Sequence, residues 1–108
     1  MNQTPEELIN SLLESRCNQL RVTRQMIDDL IASSQTQEHI FWGKELLVSY
    51  QLECGFTVTG RAACIDPDNF DIEIGRLVAE ENAKTQLWQL EGYRLNWDLY
   101  TRGVLVPD

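Results

Sequence analysis

Leu46-Leu47-Val48-Ser49-Tyr50-Gln51-Leu52 is followed by Glu53-Cys54-Gly55 and then by Phe56-Thr57-Val58-Thr59. Leu46, Val48, Tyr50 and Leu52 alternate with Leu47, Ser49 and Gln51, the period of two that marks a strand with one buried face. The second run alternates again, so the pair reads as an antiparallel β-hairpin. Gly55 supplies the positive φ that a short loop commonly needs, and Gly60 marks a bulge or the end of regular pairing. Upstream, Ile40-Phe41-Trp42 reads as a further short strand that Gly43 interrupts.

On either side of the hairpin the apolar spacing becomes helical. Thr4-Pro5-Glu6-Glu7 is a helix start, with Thr4 as N-cap and Glu7 placed for a capping box, and Leu8, Ile9, Leu12, Leu13 and Leu20 follow as one stripe. A second start at Thr23 leads into Met26, Ile27, Leu30 and Ile31, with a stop at Ser33-Ser34. Neither stripe has the Lys/Arg-rich polar face of a membrane-surface helix, so both are expected to face the core. After Asp66-Pro67-Asp68-Asn69-Phe70-Asp71, where Asp68 or Asn69 serves as cap, a long helix takes Ile74, Leu77, Val78, Leu87, Trp88 and Leu90 as its apolar side. Gly92 ends this helix, or the helix passes through it at a cost of about 1 kcal/mol relative to alanine. Trp97, Leu99, Tyr100, Val104 and Leu105 make the tail too apolar for a free end, so it is expected to dock on the body or on another subunit. The predicted fold is α+β: two short N-terminal helices, an antiparallel hairpin or small sheet, and one long helix with a docked C-terminal tail.

The 108 residues suffice for one hydrophobic core, so residues 1–108 are read as a single domain. Apolar residues make up 43 % and charged residues 24 %, an ordinary globular composition. The longest apolar runs are a few residues, far below the roughly 20 of a spanning helix, so no membrane association is expected. The N-terminus lacks the basic and apolar regions of a secretory signal, which predicts a cytoplasmic protein. The 17 acidic and 9 basic side chains give a net charge of −8, which opposes direct binding to nucleic acid. The same charge suits a protein partner with a basic surface.

Candidate chemical sites fail one by one. Cys17, Cys54 and Cys64 read as reduced thiols and small buried hydrophobes, and their separations from His39 match no compact zinc set. Asp66, Asp68, Asn69, Asp71 and Glu73 resemble a calcium loop, but Phe70 and Asp71 stand where an EF-hand needs an oxygen ligand and glycine; helix capping explains these acids instead. His39 has no flanking nucleophile motif and reads as a partly exposed histidine at the sheet edge. Gly43-Lys44 lacks the earlier glycine of a phosphate loop. The pairs Asp28-Asp29 and Glu80-Glu81 point about 100° apart on a helix and read as solvated faces. No enzymatic activity and no cofactor are expected. The binding residues expected instead are Asp66, Asp68, Asp71, Glu73, Glu80 and Glu81 on an acidic face, with Arg76 and Lys84 as basic exceptions, together with Trp97 and Tyr100. Trp88 reads as ordinary core.

Gly55-Phe56-Thr57-Val58-Thr59-Gly60, Ala63-Cys64-Ile65-Asp66-Pro67, Asn69-Phe70-Asp71, Glu73-Ile74-Gly75-Arg76, Ala79-Glu80-Glu81-Asn82-Ala83-Lys84 and Leu87-Trp88-Gln89-Leu90-Glu91-Gly92-Tyr93 together resemble the Gp-forty-nine-like family of small tailed-phage proteins. The resemblance runs from about Val22 to Leu95. It implies a phage or prophage accessory protein in the host cytoplasm and brings no catalytic residues with it. By analogy with such proteins, the expected action is to bind and block a host protein, a nucleic-acid-binding defence component such as a CRISPR or restriction nuclease. The alternative is a homo-oligomer, a homodimer for instance, that binds a nucleotide or other small ligand between subunits. The resemblance also singles out Gly75 as a position without room for a side chain.

Overall fold

A computed structural model describes residues 4–16 and 21–107, with the side chains of residues 10 and 12–16 left aside. Leu12, Leu13 and Leu20 of the first expected stripe, and Cys17, lie outside the described residues and side chains. The elements are α1 (Pro5–Arg16), α2 (Arg24–Ala32), β1 (Gln35–Phe41), β2 (Glu45–Gln51), β3 (Thr57–Ala63), a single 3-10 turn (Pro67–Asn69) and α3 (Ile72–Thr101). The architecture is α+β, as the alternating and helical periods predict. The three strands form an antiparallel sheet in the order β1-β2-β3, with Glu38 opposite Val48 and Val48 opposite Gly60.

The capping chemistry read from the sequence is in place for the first two helices. Thr4 Oγ1 accepts from the Glu7 N–H at 3.1 Å, and Thr23 Oγ1 accepts from the Met26 N–H at 3.2 Å. For α3 the cap is one turn later than expected. Asp71, rather than Asp68 or Asn69, accepts from the N–H groups of Glu73 and Ile74, while Asp66 caps the 3-10 turn through the Asp68 N–H. The helix passes through Gly92 and ends at Gly103, whose φ is +74°. There Gly103 N–H donates to Tyr100 C=O and Val104 N–H to Leu99 C=O, a Schellman closure; Leu99 is buried, while Val104 and Leu105 of the tail expected to dock are exposed.

Leu46, Val48, Tyr50 and Leu52 are buried together with Val58 and Ala62, so the alternating face is the core face. Ile27 and Ile31 of α2 join it, and α3 closes it. The face that α3 turns inward is Gly75, Ala79, Ala83 and Leu87, and only Leu87 belongs to the stripe expected from the large apolar residues. Ile74, Leu77, Val78, Trp88 and Leu90 are exposed. The reason lies on β3. A Cβ at Gly60 would fall on the Ala79 carbonyl oxygen and stand 2.7 Å from its carbonyl carbon, so helix and strand meet backbone to backbone. Gly60 is therefore neither a bulge nor an end; β3 pairs regularly through it. At Gly75 a Cβ would meet Leu46 Cδ2 at 3.4 Å and Phe70 at 3.6 Å, which leaves room for a methyl.

The two sheet edges are treated differently. Leu52 N–H to Phe56 C=O and Cys64 N–H to Lys44 C=O set the phase of the β2-β3 ladder, so Thr59 and Arg61 turn their backbone groups outward. Two amides of α3 meet them: Asn82 Oδ1 accepts from Arg61 N–H at 3.1 Å and Gln86 Nε2 donates to Thr59 C=O at 2.6 Å. By the same alternation Thr36, Glu38 and Ile40 of β1 turn their backbone groups away from the sheet. All seven residues of β1 are exposed, and the strand starts at Gln35, five residues before the expected Ile40. Cys54 is exposed and Cys64 half-buried, so neither is the fully buried hydrophobe expected.

Gly60→Ala is expected to destabilise the protein by about 3 kcal/mol in urea unfolding, because backbone cannot yield to the new methyl as a side chain would. Gly75→Ala should lie within about 1 kcal/mol of the native chain, its helix gain offsetting a small repacking of Leu46. Equal losses at the two sites would contradict the backbone contact at Gly60.

Candidate protein-binding surface

At one end of the sheet two connections lie side by side. The β1-β2 turn reverses through Trp42 at φ +58° and Gly43 at φ +67°, closed by Lys44 N–H donating to Phe41 C=O at 3.1 Å. A Cβ on Gly43 would stand 3.8 Å from Pro67 Cβ, which places this turn against the loop from Cys64 to Asp71. Trp42 is 84 % exposed and Ile65, on the neighbouring loop, 95 %. A tryptophan in the left-handed region is uncommon and carries backbone strain of about 1–2 kcal/mol, which no burial of its ring offsets here.

The carboxylates expected at this end are here and exposed. Residues 62–75 hold Asp66, Asp68, Asp71 and Glu73 and no Lys or Arg, and none of the four forms an ion pair among the described residues. Asp66 and Asp71 each also accept backbone N–H bonds, so capping fixes where their charge sits. Farther along the sheet the charge is compensated. Arg61 Nε meets Glu45 Oε1 at 3.0 Å, and Arg76 grips both oxygens of Glu38 at 2.6 and 3.1 Å. The Arg76 hydrogen bond holds the Glu38 carboxyl below its ordinary pKa.

Glu80 and Glu81 do not join the unpaired acids. Lys84 Nζ lies 3.0 Å from Asp28 on α2, 3.5 Å from Glu80 and 3.7 Å from Glu81. The two acidic pairs read as solvated faces thus send three members to one half-buried cation that ties α2 to α3. Burial pulls the Lys84 pKa down, but the hydrogen bond to Asp28 and the charges of Glu80, Asp28 and Glu81 together raise it on balance.

Trp97 and Tyr100 lie elsewhere, on the second half of α3. Tyr93, Trp97 and Tyr100 are 69 %, 53 % and 50 % exposed and stack edge to face, with ring centroids 6.4 and 5.7 Å apart. With Gly92, Asn96 and Pro107 they line an open concavity of about 550 Å³. Trp88 is exposed rather than core. The structure thus gathers Asp66, Asp68, Asp71 and Glu73, ties up Glu80 and Glu81, and separates Trp97 and Tyr100 as a second surface. Trp42 and Ile65 escaped the sequence reading; the pairing of an aromatic residue with Gly43 between two strands was the available signal for Trp42. His39 is exposed on the edge strand, 4.3 Å from the Phe41 ring. Among the described residues no three His, Cys, Asp or Glu side chains are grouped to hold a metal ion, and no helix is long and apolar enough to cross a membrane.

Compared with known proteins, the chain matches one family model, described as the phage protein (N4 Gp49/phage Sf6 gene 66) family, over residues 22–99. The matched span runs from the end before α2 to Leu99 and leaves out α1 and the tail. No curated protein and no solved structure matches the chain.

Trp42→Gly is expected to raise stability by about 0.5–1 kcal/mol in thermal or urea melts, since it relieves the left-handed strain and removes a ring that packs on little. A loss of stability would mean that the ring is held by the fold. Lys84→Met should cost roughly 1 kcal/mol at pH 7. Because the folded pKa of Lys84 is raised, its contribution is complete below the ordinary lysine value of about 10.4 and fades as pH rises through the folded value. Urea melts at pH 7 and pH 11.5 should therefore show the gap between the two chains closing.

Proposed function

Because this chain belongs to the N4 Gp49/phage Sf6 gene 66 family of phage proteins, we propose that it is an accessory protein that acts by binding, and thereby blocking, a protein of the host. The observation that carries this reading is the loop end, where the exposed Trp42 and Ile65 stand beside the unpaired carboxylates of Asp66, Asp68, Asp71 and Glu73. Large apolar anchors bordered by polar charge have the composition of interface hot spots. The turn needs the left-handed backbone at position 42 but makes no use of an indole there, 84 % exposed, and a bulky residue held under such strain is a feature of functional positions.

The chemistry of the face selects the partner. Four carboxylates outside any ion pair, which outnumber Lys44 on the adjoining turn and Arg76 one helical turn beyond Glu73, fit a surface rich in lysine and arginine around an apolar recess, and long-range attraction from a net charge of −8 speeds the encounter. Host proteins display such basic surfaces where they hold nucleic acid, so the proposed target is a nucleic-acid-binding defence component, a CRISPR or restriction nuclease, occupied in the host cytoplasm in competition with its nucleic acid. The proposed action is occupancy rather than catalysis.

The test is affinity purification from host lysate with the native chain, Trp42→Ala and the double variant Asp68→Lys/Glu73→Lys side by side. A host protein retained by the native chain should fall at least tenfold with either variant, and retention should weaken as salt rises. A partner retained equally by all three would move the interface away from the loop end. No retained host protein under several growth conditions would overturn the reading.

A further inference from the structure

The second half of α3 carries a surface with the geometry of a helix seam. Leu90, Tyr93, Trp97 and Tyr100 recur at spacings of three, four and three, the repeat by which one helix interlocks with another. All four are 40 % or more exposed, although each is large and apolar or aromatic. A 30-residue helix is ~45 Å long and a seven-residue strand ~23 Å, so this half of α3 outruns the sheet that covers its first half. The side of the helix at Glu91 and Leu95 borders Met26 of α2, which leaves the seam on the far side.

Gly92 adds an independent observation. It sits inside the helix, where glycine is unfavourable, yet a Cβ there would meet nothing within 4 Å. The fold itself does not require this glycine. Its missing side chain opens the concavity of about 550 Å³ between Tyr93, Asn96, Trp97, Tyr100 and Pro107 of the tail, a hole of the kind a facing side chain fills.

We propose that this seam is the interface of a two-fold homodimer in which the α3 helices of two copies cross antiparallel. Each copy then supplies both the protruding rings and the hole that receives them, as an isologous contact demands. Charge points to the same occupant. Two chains of −8 repel, and the seam is where they can approach: its flanks are Gln89, Asn96 and Thr101, all uncharged. The nearest acids, Glu91 and Asp98, are each held at 2.8 Å by Arg94 and Arg102. Antiparallel crossing also sends the two acidic loop ends, at the N-termini of the α3 helices, to opposite sides of the dimer, where a parallel pair would bring them together.

Sedimentation or light scattering of the native chain at about 100 µM is expected to give twice the 12.5 kDa chain mass. Trp97→Ala and Gly92→Leu should each weaken the dimer at least tenfold with far-UV circular dichroism unchanged, the second because it fills the hole without removing a contact. Trp42→Ala should leave the dimer intact. In a chain whose native cysteines are replaced by serine, Asn96→Cys should oxidise to a disulfide-linked dimer and Gln89→Cys should not. A native chain of 12.5 kDa at this concentration, or a dimer indifferent to both Trp97→Ala and Gly92→Leu, overturns the interface. Disulfides at both positions, or at neither, overturn the antiparallel crossing.

Discussion

The contact between the backbone of Gly60 on β3 and that of Ala79 on α3 governs how the rest of the molecule is arranged. A helix can approach a sheet this closely only if its facing side chains are nearly absent, and α3 meets the requirement with Gly75, Ala79 and Ala83 before Leu87 widens the gap. Close approach lets the amides of Asn82 and Gln86 reach past the sheet to the open edge of β3. One steric fact thus decides helix register, core composition and edge protection together. The bulk missing from the helix side is supplied from below, by Leu46, Val48, Tyr50 and Val58, and from beside, by Ile27 and Ile31.

The same constraint produces the surface. A helix whose inward face is reserved for small residues must carry its large apolar residues elsewhere, which is why Ile74, Leu77 and Val78 are exposed. It also explains where sequence and structure part. The β2 strand was legible because its core face is built of large residues in strict alternation, and α2 because its cap and stripe agree. The inward face of α3 was not legible, since glycine and alanine register weakly in any reading based on large apolar periodicity. The edge strand Gln35–Phe41 was hidden for a related reason. With every residue exposed, it has no apolar alternation to display, and its first residues look like a polar connection.

The candidate surfaces were legible in proportion to how far they rest on local chemistry. Asp66, Asp68, Asp71 and Glu73 are near one another in the chain, so their clustering survives folding. Glu80, Glu81 and Asp28 meet only because α2 packs on α3, and the cation between them, Lys84, turns an apparent acidic face into a structural tie. Trp42 and Ile65 are 23 positions apart, and only the pairing of β2 with both neighbours brings their loops together. Proximity across a sheet is a property of register, which no local window contains.

Charge and shape then act at different ranges. Through the middle of the molecule Arg61 and Arg76 each meet one carboxylate and Lys84 meets three, so the densest run of carboxylates outside any ion pair is the end from Asp66 to Glu73, and it is there that the field steers a partner. An apolar anchor at that end is where a steered encounter becomes a fixed one, because burial, unlike exposed charge, is not screened by salt. The aromatic seam lies toward the other end of the same helix, ~45 Å long, so the two surfaces share no residue. A two-fold pair built on the seam would hold two acidic loop ends on opposite flanks. A target that is itself repeated or elongated, as assemblies on nucleic acid are, could then be held at two points, and a modest affinity at each would compound into tight retention without any further contact.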